Sequence, residues 1–137
     1  MKLRAPLTAL ACMAIAACAP APEGPPAEPP TELMAVDTPP PAYPEALACD
    51  DVGGQTVLAV TVGPEGRPTD VRVKQSSGQP ELDAAAVEGV KAWQFRAATR
   101  AGQPISSDLQ VPVTFKPPTM RPDRCFALDE ERRDSEL

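Results

Sequence analysis

The sequence predicts an α+β domain in which two helices pack on a three-stranded antiparallel sheet. The first observation is a helical repeat between residues 76 and 95, where Leu82 and later apolar or small residues recur at three- and four-residue steps. The second is a set of three strand-like segments: residues 55–62 are apolar on both faces, as in a central strand, and residues 69–75 and 109–116 alternate between two faces. A helix with one apolar face needs a sheet to cover, so these elements predict one small core.

Composition excludes several classes of function. The chain has 137 residues, a net charge of −6 and no histidine, so the commonest general base and metal ligand is absent. It also lacks a phosphate-binding loop, a nucleophile motif and paired-cysteine metal spacing. Nucleic acid would be repelled by the acidic balance. We therefore expect no catalytic residues, no metal, no cofactor, no small-molecule substrate and no nucleic-acid partner.

Residues 1–17 have the three regions of an export signal, namely two positive charges, an uncharged run and a small-residue end. The tetrapeptide that ends at Cys18 reads Ile-Ala-Ala-Cys and resembles the lipobox of bacterial lipoproteins. That resemblance implies cleavage before Cys18 and acylation of its sulfur, which anchors the chain to a membrane leaflet.

The residue after Cys18 is Ala19 rather than Asp, and by the lipoprotein rule this favours the periplasmic face of the outer membrane over the inner membrane. An alternative is that residues 1–22 stay uncleaved as a weak membrane helix, because 18 uncharged residues are about the minimum for spanning.

Residues 18–42 are rich in proline and acidic side chains, a composition that predicts a disordered linker. The domain is predicted over residues 43–118. It begins with a short helix at Pro44, where the missing amide is tolerated.

Prolines also predict the strand order. Proline cannot donate to a strand ladder, so Pro112 in strand three and Pro68 at the entry to strand two indicate edge positions. Strand one, residues 55–62, contains no proline and is predicted in the centre, which gives the order 2-1-3.

Antiparallel pairing in this order brings the region before strand one close to the region after strand three. Cys49 and Cys125 lie in these two regions, and in an exported protein we expect them to form a disulfide. Residues 119–137 are predicted to be a solvated, charged tail with at most one helical turn.

In this order along the chain, a set of short motifs resembles the C-terminal domain of the TonB family of energy transducers. The set covers slightly more than half of the chain. The motifs are Tyr43-Pro44, Gly53-Gly54-Gln55-Thr56-Val57, Gly63-Pro64-Glu65-Gly66-Arg67, Val71 and Val73, Ser76-Ser77-Gly78, Leu82-Asp83, Ala85-Ala86, Trp93-Gln94-Phe95, Gly102-Gln103-Pro104 and Val111-Pro112-Val113-Thr114-Phe115.

The resemblance implies that the last strand offers its open edge to an extended segment of an outer-membrane TonB-dependent receptor. The positions that match the pairing strand are Leu109, Gln110, Val111, Pro112, Val113, Thr114 and Phe115. The residues expected to serve the fold are Tyr43, Pro44, Leu82, Trp93 and Phe95, and Trp93 is expected to be buried.

The chain departs from the family pattern at its beginning, where a lipoprotein signal stands in place of an inner-membrane helix. It also has Pro40 where the family often has a polar residue near the receptor segment. The leading hypothesis is a periplasmic lipoprotein that acts in TonB-dependent transport. The alternative is a structural or assembly lipoprotein that uses the same domain to hold another envelope protein.

Overall fold

The computed structural model describes residues 24–137, and the predicted signal segment and Cys18 lie outside the described residues. The elements in chain order are β1 (Met34–Asp37), α1 (Glu45–Cys49), β2 (Gly54–Val62), β3 (Pro68–Gln75), α2 (Pro80–Lys91), β4 (Gln94–Arg96), β5 (Ala98–Arg100), β6 (Gln103–Ile105), β7 (Ser107–Phe115) and α3 (Asp123–Ser135). The fold is therefore α+β, as predicted.

The central sheet consists of β3, β2 and β7, and both pairs are antiparallel. These are the predicted strands two, one and three, so this sheet has the predicted order. The ladder between β2 and β7 is nine residues long and runs from the Gly54–Phe115 pair to the Val62–Ser107 pair. β7 is paired on one side only, because no other described strand pairs with it.

Helix α2 covers one face of this sheet with the predicted stripe. Leu82, Ala86 and Val90 are four residues apart and fully buried. The sheet contributes the other half of the core, namely Leu58, Val60, Val62, Val111, Val113 and Phe115. Phe95 is also buried, and its amide donates to the Gly66 carbonyl at 2.8 Å.

Trp93 is half-buried, so the prediction that its side chain is buried was wrong. Helix α2 ends at Lys91, before it reaches Trp93, and the ring packs against the edge of the core.

The prediction of one sheet and two helices was incomplete. Before predicted strand three, residues 98–105 form the β5–β6 hairpin, whose turn residues Ala101 and Gly102 both have positive φ, at 51° and 75°. Positive φ at two successive positions suits the twist of a tight hairpin. A single Gly102 among polar residues was too weak a signal for this hairpin.

The predicted disordered linker differs from the structure over residues 31–41, which we call the strap. Within it, β1 pairs with β4, and the Thr31 backbone bonds to that of Thr99 in both directions. The Trp93 indole N–H donates to the Pro39 carbonyl at 2.9 Å, and Pro41 lies against Gly89. The short apolar run at residues 33–36 forms most of the strand of the strap. The proline-rich composition of the segment as a whole had predicted disorder instead.

Replacing Trp93 with phenylalanine is expected to loosen the strap and leave the core folded. The ring remains to fill its place, but the Pro39 carbonyl loses its donor, which costs about 1 kcal/mol. Hydrogen exchange should quicken at residues 31–37 and stay unchanged in α2. If exchange in the strap is the same in both proteins, this bond does not hold it.

The predicted tail also forms an element, α3, which was expected to be at most one turn. In this helix only Cys125 is fully buried, and a disulfide joins it to Cys49 as predicted. The other contacts are polar: Arg124 pairs with Glu45, and Arg132 binds both carboxylate oxygens of Asp50 at 2.9 and 3.1 Å. The charged residues can be read from the sequence, but which of them form pairs depends on the fold and cannot.

Candidate functional site: the free edge of β7

β7 has one face in the core and one face in solvent. Val111, Val113 and Phe115 are each 5% exposed and pack toward α2. Asp108, Gln110, Pro112 and Thr114 alternate with them on the exposed face. The core side chains fix the position and register of the strand, so its outer edge belongs to a rigid element.

Pro112 determines which backbone groups point away from the sheet. It pairs with Val57 inside an unbroken ladder, and a residue without an amide proton fits there only at a non-hydrogen-bonded position. The backbone of Pro112 therefore points outward, as does that of every second residue. The outer edge offers the amides of Asp108, Gln110 and Thr114 and the carbonyls of all four of these residues, with one missing donor at Pro112.

Two side chains beside this edge are held by β2. Thr61 donates through Oγ1 to the Asp108 carboxylate at 2.6 Å, and the Gln55 amide donates to Thr114 Oγ1 at 3.0 Å. Both bonds lie across the exposed face of the sheet and tie these side chains to the neighbouring strand. These bonds direct the side chains of Asp108 and Thr114 toward β2 and away from the free edge.

Tyr43 anchors the far end of β7 to α1. Its hydroxyl donates to the Val52 carbonyl, and its ring meets the Phe115 ring edge-on, with 5.3 Å between centroids. Burial, followed by the negative charge of Asp51, raises the pKa of Tyr43, so the hydroxyl stays protonated as a donor. Pro44 precedes the first residue of α1, where it leaves no helical amide unpaired.

The serines that precede α2 form a second polar cluster, and it serves the fold. Asp83 accepts hydrogen bonds from the Ser76 hydroxyl, from the Ser77 amide and hydroxyl at 2.9 and 2.8 Å, and from the Thr56 hydroxyl at 2.7 Å. Thr56 is fully buried in β2, so the cluster joins the start of α2 to the central strand.

The cluster also changes the chemistry of Asp83. Burial raises the pKa of this carboxyl, but the hydrogen bonds from Ser76, Ser77 and Thr56 outweigh burial and bring the pKa to about 2. A carboxylate with so low a pKa is a poor base at neutral pH. The arrangement therefore does not activate a serine hydroxyl.

Replacing Asp83 with asparagine is expected to destabilise the domain by about 1 to 3 kcal/mol at pH 7, because the donors around it lose charged acceptors. The folded pKa is about 2 and the ordinary value is 3.8, so the carboxylate's contribution is complete above pH 3.8 and is lost as the pH falls through 2. Urea unfolding at several pH values should show the wild-type advantage shrinking below pH 4. An advantage independent of pH would contradict this role.

Other site types are not apparent in the described residues. Within residues 24–137, no three His, Cys, Asp or Glu side chains gather as a metal site requires. In the same range, no helix has the length and apolar character needed to cross a membrane.

Comparison with known proteins gives the family of the domain that contains this edge. Residues 39–117, more than half of the chain, match the family model described as Gram-negative bacterial TonB protein C-terminal. The chain belongs to the TonB C-terminal domain family. The match covers the strap from Pro39 onward, both helices α1 and α2 and all of β7, and it ends before α3.

Two curated relatives bear the family name. The chain is 40% identical over 76 residues to Protein TonB of Xanthomonas campestris pv. campestris, which is 56% of this chain and 34% of that protein. It is 37% identical over 78 residues to Protein tonB2 of Pseudomonas aeruginosa, which is 57% of this chain and 29% of that protein. The shared part is thus about a third of each relative.

A solved structure shows the same fold. The TonB C-terminal domain of Pseudomonas aeruginosa, determined by solution NMR, aligns with a TM-score of 0.56 at 20% identity and covers 66% of this chain and 91% of that chain. At this identity the likeness supports the fold alone.

The structure places the predicted site residues in three groups. Residues 109–115 lie on β7, Cys49 and Cys125 are bonded beside α1, and Leu82 and Phe95 lie in the core. The contacts of the strap and the Arg132–Asp50 pair had not been predicted. The apolar run at residues 33–36 could have indicated the strand in the strap. Nothing in the sequence indicates that Arg132 and Asp50 form a pair.

Proposed function

We propose that this protein is a non-catalytic periplasmic lipoprotein whose TonB-type domain binds an extended segment of an outer-membrane receptor by strand addition to β7. The observation that carries the proposal is that β7 is nine residues long, fixed by the core on one face and paired on one edge. An added strand would receive main-chain hydrogen bonds from Asp108, Gln110 and Thr114. Pro112 would leave one partner carbonyl without a donor.

Pro112 has a second consequence for the edge. An unprotected strand edge pairs with other chains indiscriminately, and a proline or a charged residue reduces that risk. Pro112 and Lys116 interrupt and end the free edge of β7. The edge is therefore suited to a segment that tolerates a missing hydrogen bond at one position.

Crosslinking in cells tests the proposal. A photoreactive residue in place of Gln110 on β7 should capture an outer-membrane receptor, whereas the same residue in place of Arg72 should not. Arg72 is exposed on β3, the opposite edge strand, and is the matched control. Equal capture from both positions, or none from Gln110, would contradict binding at β7. Capture of some other envelope protein at Gln110 alone would favour the assembly role.

The lipid anchor is tested separately. Labelled palmitate should be incorporated into the wild-type chain and not into a Cys18→Ala variant, and mass spectrometry should find a mature chain that begins at Cys18. We propose residues 18–30 as the tether and residues 43–118 as the binding domain, since the strap at residues 31–41 is held against that domain. An unlabelled chain with an intact Met1 would overturn the lipoprotein assignment.

A further inference from the structure

The end of the β2–β7 ladder that faces α1 and α3 is bridged by a covalent bond. Cys49 is the last residue of α1, and Cys125 lies in the first turn of α3. Gly54 follows Cys49 by five residues and pairs with Phe115, which precedes Cys125 by ten. The disulfide therefore closes a covalent loop that contains all three strands of the central sheet. It lies just beyond the last residue pair of the β2–β7 ladder.

Noncovalent contacts between α3 and the domain are weak by comparison. The Arg124–Glu45 and Arg132–Asp50 pairs are exposed to solvent, and exposed ion pairs contribute little. Arg121, two residues before α3, donates through Nε to the Cys49 carbonyl at a long 3.4 Å. Apart from Cys125, α3 buries no residue fully. The disulfide is thus the principal connection between α3 and α1.

At this end of β7 the ladder with β2 stops and the chain leaves the sheet. Phe115 belongs to the terminal pair, and β7 has a neighbour on one side only. Pro117 and Pro118 follow, and neither can continue the ladder as a donor. The corner is tightly packed, since a Cβ on Gly53 would lie 2.6 Å from the Phe115 carbonyl oxygen. The chain on the two sides of this corner leads to α1 and α3, which the disulfide joins.

We infer that the Cys49–Cys125 disulfide is a redox-dependent lock on the receptor-binding strand. In the oxidised chain the bond keeps the second half of β7 against β2, so its outer edge is presented as an ordered strand. In the reduced chain this half opens and α3 separates from α1. The use of the lock in recognition rests on the proposed function, but the lock itself does not.

Forming the bond removes two electrons and two protons from the thiols of Cys49 and Cys125. A disulfide-bearing oxidant takes them up and becomes two thiols, so the exchange balances. Both cysteines are buried in the folded protein, at 7% and 0% exposure, which protects the bond from reductants once α3 has docked. We therefore place oxidation before completion of the binding strand.

Amide hydrogen exchange on the full chain tests this inference without any partner. In the Cys49→Ser/Cys125→Ser variant, the ratio of the exchange rates of the Val113 and Phe115 amides to that of the Val60 amide should be at least tenfold higher than in the oxidised wild type, because Val60 reports unfolding of the whole domain. The amides of α3 should behave in the same way. Arg132→Gln removes the bidentate ion pair and leaves the bond, so its exchange should stay within twofold of wild type.

The contrary result is equally specific. If exchange quickens by the same factor at Val60, Val113 and Phe115, or quickens at Val60 alone, the bond acts only on the unfolded chain and the lock is refuted. A serine variant that is unfolded by circular dichroism is measured in sodium sulfate, which favours the compact state. Failure to fold even there would show that the bond serves the whole fold. None of these results depends on whether β7 binds a receptor segment.

Discussion

Replacing Leu82 with alanine is expected to lower the free energy of unfolding by about 3 to 5 kcal/mol. Leu82 is fully buried at the start of the α2 stripe and packs in the same cluster as Leu58 and Phe115. Truncation removes its contacts and leaves a cavity that the sheet cannot fill, because β2 and β7 are fixed by their ladder. Urea unfolding followed by the fluorescence of Trp93, the only tryptophan, measures the loss.

The matched control is Met120→Ala, which removes a large apolar side chain that is 83% exposed. Its effect should stay within about 0.5 kcal/mol. A similar loss in both variants would mean that the stability of the domain does not depend on the face of α2 identified as its core.

Removing the disulfide is expected to cost about 4 kcal/mol, since the bond closes a loop with a sequence separation of 76 residues and limits the freedom of the unfolded chain. For a small domain this is a large share of total stability. Thermal unfolding of the Cys49→Ser/Cys125→Ser variant should show the loss as a midpoint lower by tens of degrees.

Wild-type protein unfolded with and without reductant provides the corresponding control. Its reduced form should unfold at the same midpoint as the serine variant, and reductant should leave the variant itself unchanged. Coincident midpoints for oxidised and reduced wild type would contradict a stabilising bond.

The central sheet could be predicted because its determinants are local. Alternation in β2 and β7 fixes which side chains enter the core, and Pro68 and Pro112 exclude the central position for their strands. The same reasoning gives the order of the strands, and the order in turn brings Cys49 and Cys125 close enough to bond. The candidate edge follows from these steps together with the family motifs.

The strap and α3 could not be predicted because their partners are distant in sequence. Thr31 pairs with Thr99, and Arg132 meets Asp50 across 82 residues. Proline-rich composition and high charge each predict solvated chain, and both segments are in fact largely exposed. A few specific contacts hold them in place, and such contacts leave no periodic pattern in a single sequence.

The direction of the backbone at Pro112 also decides which proline variant tests strand addition. The amide of Val113 points toward β2, so a proline there would break the ladder and the fold. The amide of Gln110 points outward, and Gln110→Pro removes a donor from the free edge alone. Val73→Pro does the same on β3, because Val73 is 42% exposed and faces Leu58 at a non-hydrogen-bonded position.

The most direct measurement is the titration of a synthetic receptor plug segment into wild type, Gln110→Pro and Val73→Pro. Circular dichroism first establishes that all three proteins are folded. Gln110→Pro should weaken binding at least about fivefold, since one lost bond with an unsatisfied partner carbonyl costs about 1 to 3 kcal/mol. Val73→Pro should bind like wild type. Equal affinity in all three proteins would contradict strand addition at β7.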